Sequence, residues 1–319
     1  MPALYLTEEN VNELLTVVDA IEALDTAFRR LADGEAAVQP RQRVRMPHGL
    51  LHVMPAGIQG GPSLGLKVYT TFAGAGARFF VMLFDANEGS LVAILQADRL
   101  GQIRTGAASG VATRYMARED SRSLGLFGTG WQAQSQLLAM CAVRNIEHVR
   151  VYGREAERRR RFCEVMAAQV TATLEPVDHP RAAVEAMDIV TTVTSSSNPV
   201  FDGAWLHEGT HVNAAGVNQV TKREIDATTV ARAGIIVTDL REQAQGECGD
   251  LAPLVASGAL SWDAVGELAD VVSGRTAGRQ RREEITLFES QGIALEDMAV
   301  AELVYQRAIA SGVGERLPL

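Results

Sequence analysis

Leu124-Gly125-Leu126-Phe127-Gly128-Thr129-Gly130-Trp131-Gln132-Ala133 is the stretch that decides the fold. A short apolar run of strand character leads into G-x-G-x-x-A, and a helix-forming sequence follows at once. Each small residue has a physical reason. Gly128 permits a tight turn, and Gly130 puts no side chain in the way of a pyrophosphate. Ala133 is small enough for the helix to pack closely on the strand. The helix N-terminus that opens there turns its N–H groups and its dipole toward an anion.

Downstream of this turn, strand-like runs at Val149–Tyr152, Asp188–Val193, Thr210–Ala215 and Gly234–Thr238 alternate with helical stretches. Those stretches are Trp131–Val143, Glu155–Ala168, Arg181–Ala186 and Arg223–Ala231. Such alternation predicts a parallel α/β sheet, a Rossmann-type dinucleotide-binding domain over residues 119–289. Upstream the texture differs. Thr7 caps an amphipathic helix that Gly34 stops. From Val38 to Gly101, short apolar runs are separated by Gly60-Gly61-Pro62, Gly74-Ala75-Gly76 and Asn87-Glu88-Gly89, which predicts a mostly antiparallel sheet. Residues 103–118 form a small-residue helix. The tail from Glu283 to Gly312 reads as helical, with an Ala-rich last helix returning to the first domain. The expected fold class is therefore α/β, a Rossmann-type domain plus an α+β domain over 1–118 that helix 290–319 joins.

Composition bounds the function. Hydrophobic residues at 47% and charged residues at 22% are globular proportions and exclude a disordered chain. Lys+Arg total 30 against 39 Asp+Glu, an acidic balance that argues against a nucleic-acid partner. No apolar stretch approaches the roughly 20 residues of a membrane span. Met1-Pro2-Ala3-Leu4-Tyr5 lacks the basic and apolar regions of a signal peptide. Cys141, Cys163 and Cys248 are an odd, widely spaced set, which points to a reducing, cytoplasmic setting rather than to disulfides or zinc.

Gly128, Thr129, Gly130, Trp131 and Gln132 are the expected cofactor contacts at the turn. The next strand ends at Gly153-Arg154, where an NAD site usually carries an acid for the ribose hydroxyls. A cation there suits a 2′-phosphate, so NADP(H) is favoured, with NAD(H) as the alternative. Arg158 to Arg161 read as a solvated helix face. Thr194, Ser195, Asn213 and Gly216 follow strand C-termini, where an open α/β sheet binds its ligand. In the first domain, Arg41, Lys67 and Arg104 are cations in apolar or small-residue surroundings. Such cations need an anion, and a substrate carboxylate is a natural one. Glu247, Asp250, Glu267 and Asp270 match no metal-ligand spacing and read as solvated or capping groups, so no metal is expected. Asp297 sits where a carboxylate complements a helix dipole, with a site role as the alternative because it lies in a family motif.

Together these motifs resemble the ornithine cyclodeaminase and mu-crystallin family. The likeness runs from Gln39-Pro40-Arg41 to Gly292. It is carried by Leu51-His52-Val53-Met54-Pro55, Gly65-Leu66-Lys67, Arg104-Thr105-Gly106-Ala107, the glycine turn, Gly209-Thr210-His211-Val212-Asn213-Ala214, Arg223-Glu224-Ile225-Asp226 and Ile285-Thr286-Leu287-Phe288-Glu289-Ser290-Gln291-Gly292. The resemblance implies a homodimer whose first domain makes the dimer contact and part of the substrate pocket. It also implies a nicotinamide cofactor facing a small amino, imino or keto acid. Arg41 and Arg104 then match carboxylate-binding arginines, and Lys67 matches the active-site lysine.

Two positions depart from the cyclodeaminase pattern. Where those enzymes carry an Asp for proton chemistry, this chain has Asn218, an amide that can orient a substrate but cannot act as a general base. Where ornithine-specific members carry a Glu for the distal ammonium, it has His52. Both favour an NAD(P)H-dependent oxidoreductase acting on the C=N or CH–NH bond of a 2-imino or amino acid. Lys67, Arg104 and Asn218 are the expected catalytic residues, and Arg41, His52, Lys67 and Arg104 the expected substrate contacts. A lysine between two arginines is expected to have a lowered pKa. A redox-neutral ornithine-type cyclodeaminase and a non-catalytic NADPH or small-ligand binding protein are the alternatives. The substrate's side chain depends on loops such as Ala73–Arg78.

Overall fold

The computed structural model describes residues 3–72, 74 and 76–318. Met1 and Pro2 of the opening segment, and Ala73 and Ala75 of the loop expected to shape the pocket, lie outside the described residues. The chain divides into two compact units: Met1–Arg104 with Ile293–Leu319, and Thr105–Gly292.

The first unit opens with β1 (Leu4–Leu6), α1 (Glu8–Leu14) and α2 (Val17–Ala32). The single helix expected over this region is interrupted at Leu15-Thr16, because Thr16 caps a new helix by accepting from Asp19 N. Next come β2 (Ala36–Val38), β3 (Gln42–Met46), β4 (Gly49–Ile58), β5 (Ser63–Phe72), β6 (Phe79–Phe84) and β7 (Leu91–Gln96). Helix α3 (Asp98–Met116) follows, and the division between the units falls within it rather than after residue 118.

The second unit runs β8 (Ser123–Phe127), α4 (Trp131–Val143), β9 (His148–Tyr152), α5 (Ala156–Met166), β10 (Thr173–Pro176), β11 (Ile189–Thr192) and β12 (His211–Ala214). It continues α6 (Ala227–Arg232), β13 (Ala233–Thr238), α7 (Arg241–Glu247), α8 (Ala252–Ala256), β14 (Val265–Glu267), α9 (Leu268–Val272) and β15 (Ile285–Glu289). The chain then returns to the first unit with α10 (Ala294–Ser311) and β16 (Glu315–Arg316).

The first sheet has the order β16-β1-β7-β6-β5-β4-β2, with β3 also paired to β4. It is antiparallel except where β1 runs parallel to β7. Alternation sorts β4 and β5 into two faces. His52, Met54, Ala56 and Ile58 on β4, and Ser63, Gly65, Lys67 and Tyr69 on β5, are buried. Helix α10 packs on β4, β5 and β6. A Cβ at Gly65 would lie 2.0 Å from Met82 O on β6 and 3.0 Å from Met298 Sδ on α10, so glycine is required there chiefly by the close approach of the neighbouring strand's backbone. The opposite face carries the partly exposed side chains of Val53, Leu66, Val68, Met82 and Ile94.

The second sheet is wholly parallel in the order β10-β9-β8-β11-β12-β15-β13-β14. The chain leaves β8 toward β9 and β10, then crosses back to β11 and β12, so the switch point lies between β8 and β11. Phe127, Val190, Val212, Ile236 and Leu287 join its core.

Three expected helices in this half differ from the structure. The tail is not helical from Glu283. Ile285–Glu289 is β15, buried along its length and inserted between β12 and β13, as its β-branched and aromatic residues allow. The segment read as a helix at Arg181–Ala186 is only a 3-10 turn, Pro180–Ala183. The helix expected from Arg223 starts at Ala227, because Asp226 is its N-cap and accepts from Thr229 N.

Candidate active site and dinucleotide turn

In the first unit, strand register lays the candidate residues in two rows on the buried face. Lys67 lies opposite Met54 on β4 and Val81 on β6. Tyr69 lies opposite His52 and Phe79, and His52 in turn opposite Arg43 on β3. Arg41 is buried and donates through Nε to Met54 Sδ at 3.3 Å, which brings it into the first row.

Lys67 Nζ donates to Asp297 Oδ1 at 2.9 Å. Arg104 donates through Nε to the same oxygen at 3.0 Å and through Nη1 to Glu296 Oε2 at 2.7 Å. All four side chains are buried. The buried cations were expected to await a substrate anion; instead the first turn of α10 already supplies two carboxylates. Asp297 therefore does more than complement a helix dipole. Neither acid stood out in the sequence as a partner, since 230 residues separate Lys67 from Asp297. The available signal was Glu296-Asp297 shortly after the family motif ending at Gly292.

Electrostatics follow from this packing. Burial, then the neighbouring Arg104, lowers Lys67 to about 8, although Asp297 pulls the other way. Burial also works against the charge of Arg104, but Asp297 and Glu296 outweigh it and raise its pKa. His52 stacks on Tyr69 with ring centroids 4.2 Å apart and planes 2° from parallel, and its Nε2 is 2.9 Å from Thr71 Oγ1. Burial, then Arg43 and Arg41, lowers His52 to about 4, so the ring is neutral near pH 7. Lys67 Nζ is 5.3 Å from the centroid of Phe79. Among the described residues, Asp297 Oδ2 and His52 Nδ1 are buried without a hydrogen-bond partner.

In the second unit, the two glycines of the turn have different surroundings. Gly128 has φ +120°, and a Cβ there would lie 2.5 Å from Val193 O. Gly130 is the N-cap of α4 with no side-chain cap, and a Cβ on it would meet nothing within 4 Å. The protein's own packing thus requires glycine at the first position but not at the second, where the space suits a phosphate. Ala133 is fully buried. Thr129 and Gln132 are half-buried, whereas Trp131 is 47% exposed. Gly153 packs on Thr129, and its carbonyl accepts from Arg159 Nη1 at 2.6 Å. Arg154 is exposed, with no ion-pair partner among the described residues. In the arginine run, Arg158 and Arg160 pair with Glu155 and Glu157 on the surface. Arg159 is buried instead and pairs with Asp178, a correction to the solvated reading.

Thr194 and Ser195 follow β11, and Gly216 and Asn218 follow β12. Asn213 lies within β12 and is fully buried. Its amide donates to Thr113 Oγ1 at 3.0 Å and is 3.2 Å from His211 Nε2, so its side chain serves the interior. Beneath these loops lies Glu224, a buried acid that the sequence showed only as part of a family motif. Burial raises it to about 7. Asp250 is buried rather than solvated, and its Oδ1 accepts from the loop amides Glu224 N and Ile225 N, while Glu267 Oε1 accepts from Arg241 N. Among the described residues, no group of His, Cys, Asp and Glu is arranged to hold a metal ion.

The chain is similar to known proteins over nearly its whole length. The family model described as ornithine cyclodeaminase/mu-crystallin family matches residues 2–312. The alanine dehydrogenase of Archaeoglobus fulgidus is 33% identical over 327 residues, covering 99% of this chain and 98% of its own. The structure of Thermococcus litoralis Delta(1)-pyrroline-2-carboxylate reductase in complex with NADH and L-proline superposes with a TM-score of 0.94 at 34% identity, covering 98% and 100% of the two chains. An archaeal alanine dehydrogenase dimer with bound NAD gives a TM-score of 0.94 at 32% identity over 100% of both chains.

Proposed function

The chain belongs to the ornithine cyclodeaminase/mu-crystallin family, and from that premise we propose that it is an NAD(P)H-dependent oxidoreductase of a small 2-imino or 2-amino acid. The observation that carries this reading is the buried set Lys67, Asp297 and Arg104 in a chain that also holds a dinucleotide turn. Relatives named for alanine dehydrogenase and pyrroline-2-carboxylate reductase chemistry support it.

The chain's own residues have distinct tasks. Asp297 and Glu296 fix the plane of the Arg104 guanidinium, which would meet the substrate carboxylate. Arg41 grips the same carboxylate, which presents one face of C2 for reaction. Lys67, poised at about 8, holds a proton at Nζ for the substrate nitrogen during reduction and takes one back in oxidation. Asn218 orients the substrate without exchanging a proton. Neutral His52 lines the site of the substrate's side chain and does not offer a fixed negative charge to a distal ammonium.

A bound nicotinamide supplies the hydride for C2, or accepts it in the reverse direction. Gly128, Thr129, Gly130, Trp131 and Gln132 hold its pyrophosphate at the start of α4. Gly153 and Arg154 meet the adenosine ribose, and exposed Arg154 favours NADP(H) over NAD(H). Thr194, Ser195 and Gly216 approach the nicotinamide ribose. The protein acts as a homodimer, in which a second copy covers the apolar open face of the first unit's sheet around Leu66 and Val68. Free Cys141, Cys163 and Cys248 suit a cytoplasmic setting.

The test is oxidation of NADPH and NADH at 340 nm with pyruvate plus ammonia or methylamine, Δ1-pyrroline-2-carboxylate and Δ1-piperideine-2-carboxylate. L-ornithine is tested alongside for ammonia release. Turnover of an imine is expected. Ammonia from ornithine without net cofactor change would move the activity to cyclodeamination.

A further inference from the structure

We infer that Glu224 is the positioning residue that locks the loop after β11 to the loop after β12, and so shapes the nicotinamide half of the dinucleotide site. The inference rests on the reading that the second unit binds NAD(P)H.

Glu224 is fully buried in the segment between β12 and α6. Three donors from the two strand ends converge on its carboxylate. Thr194 N donates to Oε1, while Thr192 Oγ1 donates to Oε2 at 3.0 Å and Gly216 N to Oε2 at 2.7 Å. A carboxylate only accepts, so it matches all three; an amide would turn its NH2 toward at least one of them. The loops also touch directly. A Cβ on Gly216 would lie 2.5 Å from Glu224 Oε2 and 2.5 Å from both Thr194 N and Thr194 O. A second buried acid holds Glu224 in place: Asp250 Oδ1 accepts from Glu224 N at 2.8 Å and Ile225 N at 3.0 Å. An interior carboxylate of this kind is retained only where its hydrogen bonds compensate its desolvation.

Sheet order confines the effect to one half of the ligand. β8 and β9, which carry the glycine turn and Gly153-Arg154, lie on one side of the switch point, and β11 and β12 on the other. The hydrogen bonds that the Glu224 carboxylate accepts come from the second pair of strand ends. The loop after β11 touches the glycine turn through Val193 O, beside Gly128, but a ligand fragment without nicotinamide draws its main contacts from the first side.

The experiment titrates wild-type, Glu224→Gln and Thr192→Val proteins with NADPH and 2′,5′-ADP, and with NADH and ADP, by calorimetry. Melting temperature is recorded for each. Glu224→Gln is expected to weaken the dinucleotides by about tenfold or more and the nicotinamide-free fragments by less than about twofold. Thr192→Val removes one donor at nearly constant volume and is expected to give about a threefold loss on the dinucleotides alone. A general scaffold role would weaken both ligand classes equally, and that result overturns the inference, as does unchanged dinucleotide affinity in Glu224→Gln. If Glu224→Gln does not fold, Thr192→Val decides: unchanged dinucleotide affinity overturns the inference. Wild-type protein that binds no dinucleotide overturns the oxidoreductase reading itself.

Discussion

Lys67 Nζ and Arg104 Nε share one oxygen of Asp297, at 2.9 and 3.0 Å, with all three side chains buried. Two cations on one carboxylate oxygen form a bond pattern that holds both in fixed orientation. It also leaves the lysine easier to deprotonate than a lone buried ion pair would, because Arg104 opposes its charge.

Replacing Lys67 by Met removes the proton carrier but keeps an unbranched chain of similar length. We expect reductive kcat to fall by about 10²- to 10⁴-fold, the usual weight of a general acid. NADPH affinity, measured by fluorescence titration, should stay within about twofold of wild type.

The pH dependence has a definite sign. Reduction needs protonated Lys67, so kcat/KM should fall as pH rises through about 8. Asp297 raises the lysine's pKa. Asp297→Asn should therefore move this limb to lower pH, by about one unit. A pH–rate profile that does not move would remove Asp297 from proton control. Linkage adds a stability effect. The pKa of Lys67 falls from 10.5 to about 8 on folding, so the unfolded chain binds more protons between those values and this group's contribution to stability grows with pH across that window. The melting temperature of wild type relative to Lys67→Met should rise from pH 8 to pH 10.

The two glycines of the turn should respond differently to alanine. Gly128→Ala places a Cβ 2.5 Å from Val193 O at φ +120°, so it should cost about 2 kcal/mol or more of stability, read as a lower melting temperature. Gly130→Ala meets nothing within 4 Å. It should melt like wild type yet bind NADPH about tenfold more weakly, because its methyl group enters the pyrophosphate space.

Arg154→Ser should raise KM for NADPH by about tenfold and leave KM for NADH nearly unchanged, since a 2′-phosphate contact is worth about one charged hydrogen bond. Equal effects on both cofactors would show that Arg154 does not read the 2′-phosphate.

Leu66→Glu places a charge on the open face of the first sheet, where Leu66 is half-buried in the single chain. Sedimentation should show a dimer for wild type and a monomer for the variant, because an unpaired charge cannot be buried at an apolar contact.

Much of the fold is legible locally. α4 coincides with its expected bounds and β8 falls on the apolar run before the turn, because an apolar run, a glycine turn and a helix-forming run succeed one another without ambiguity. β15 was misread, since Ile285-Thr286-Leu287-Phe288-Glu289 is a short apolar run next to a long helix, and periodicity alone cannot assign such a run. The break between α1 and α2 was missed because apolar spacing continues across Thr16, while the capping hydrogen bond depends on backbone geometry.

For the candidate site, the residue types were legible and their partners were not. The sequence by itself determined the dinucleotide turn, the parallel sheet behind it, and Arg41, Lys67 and Arg104 as unusual cations, because these rest on spacing and on the chemistry of single residues. Only the tertiary structure decided that Glu296 and Asp297 neutralise Lys67 and Arg104, that Asn213 faces inward, and that Glu224 ties two loops together. Each of these depends on which distant segments meet in the interior, where a charge removed from water must find its partner wherever the chain brings one.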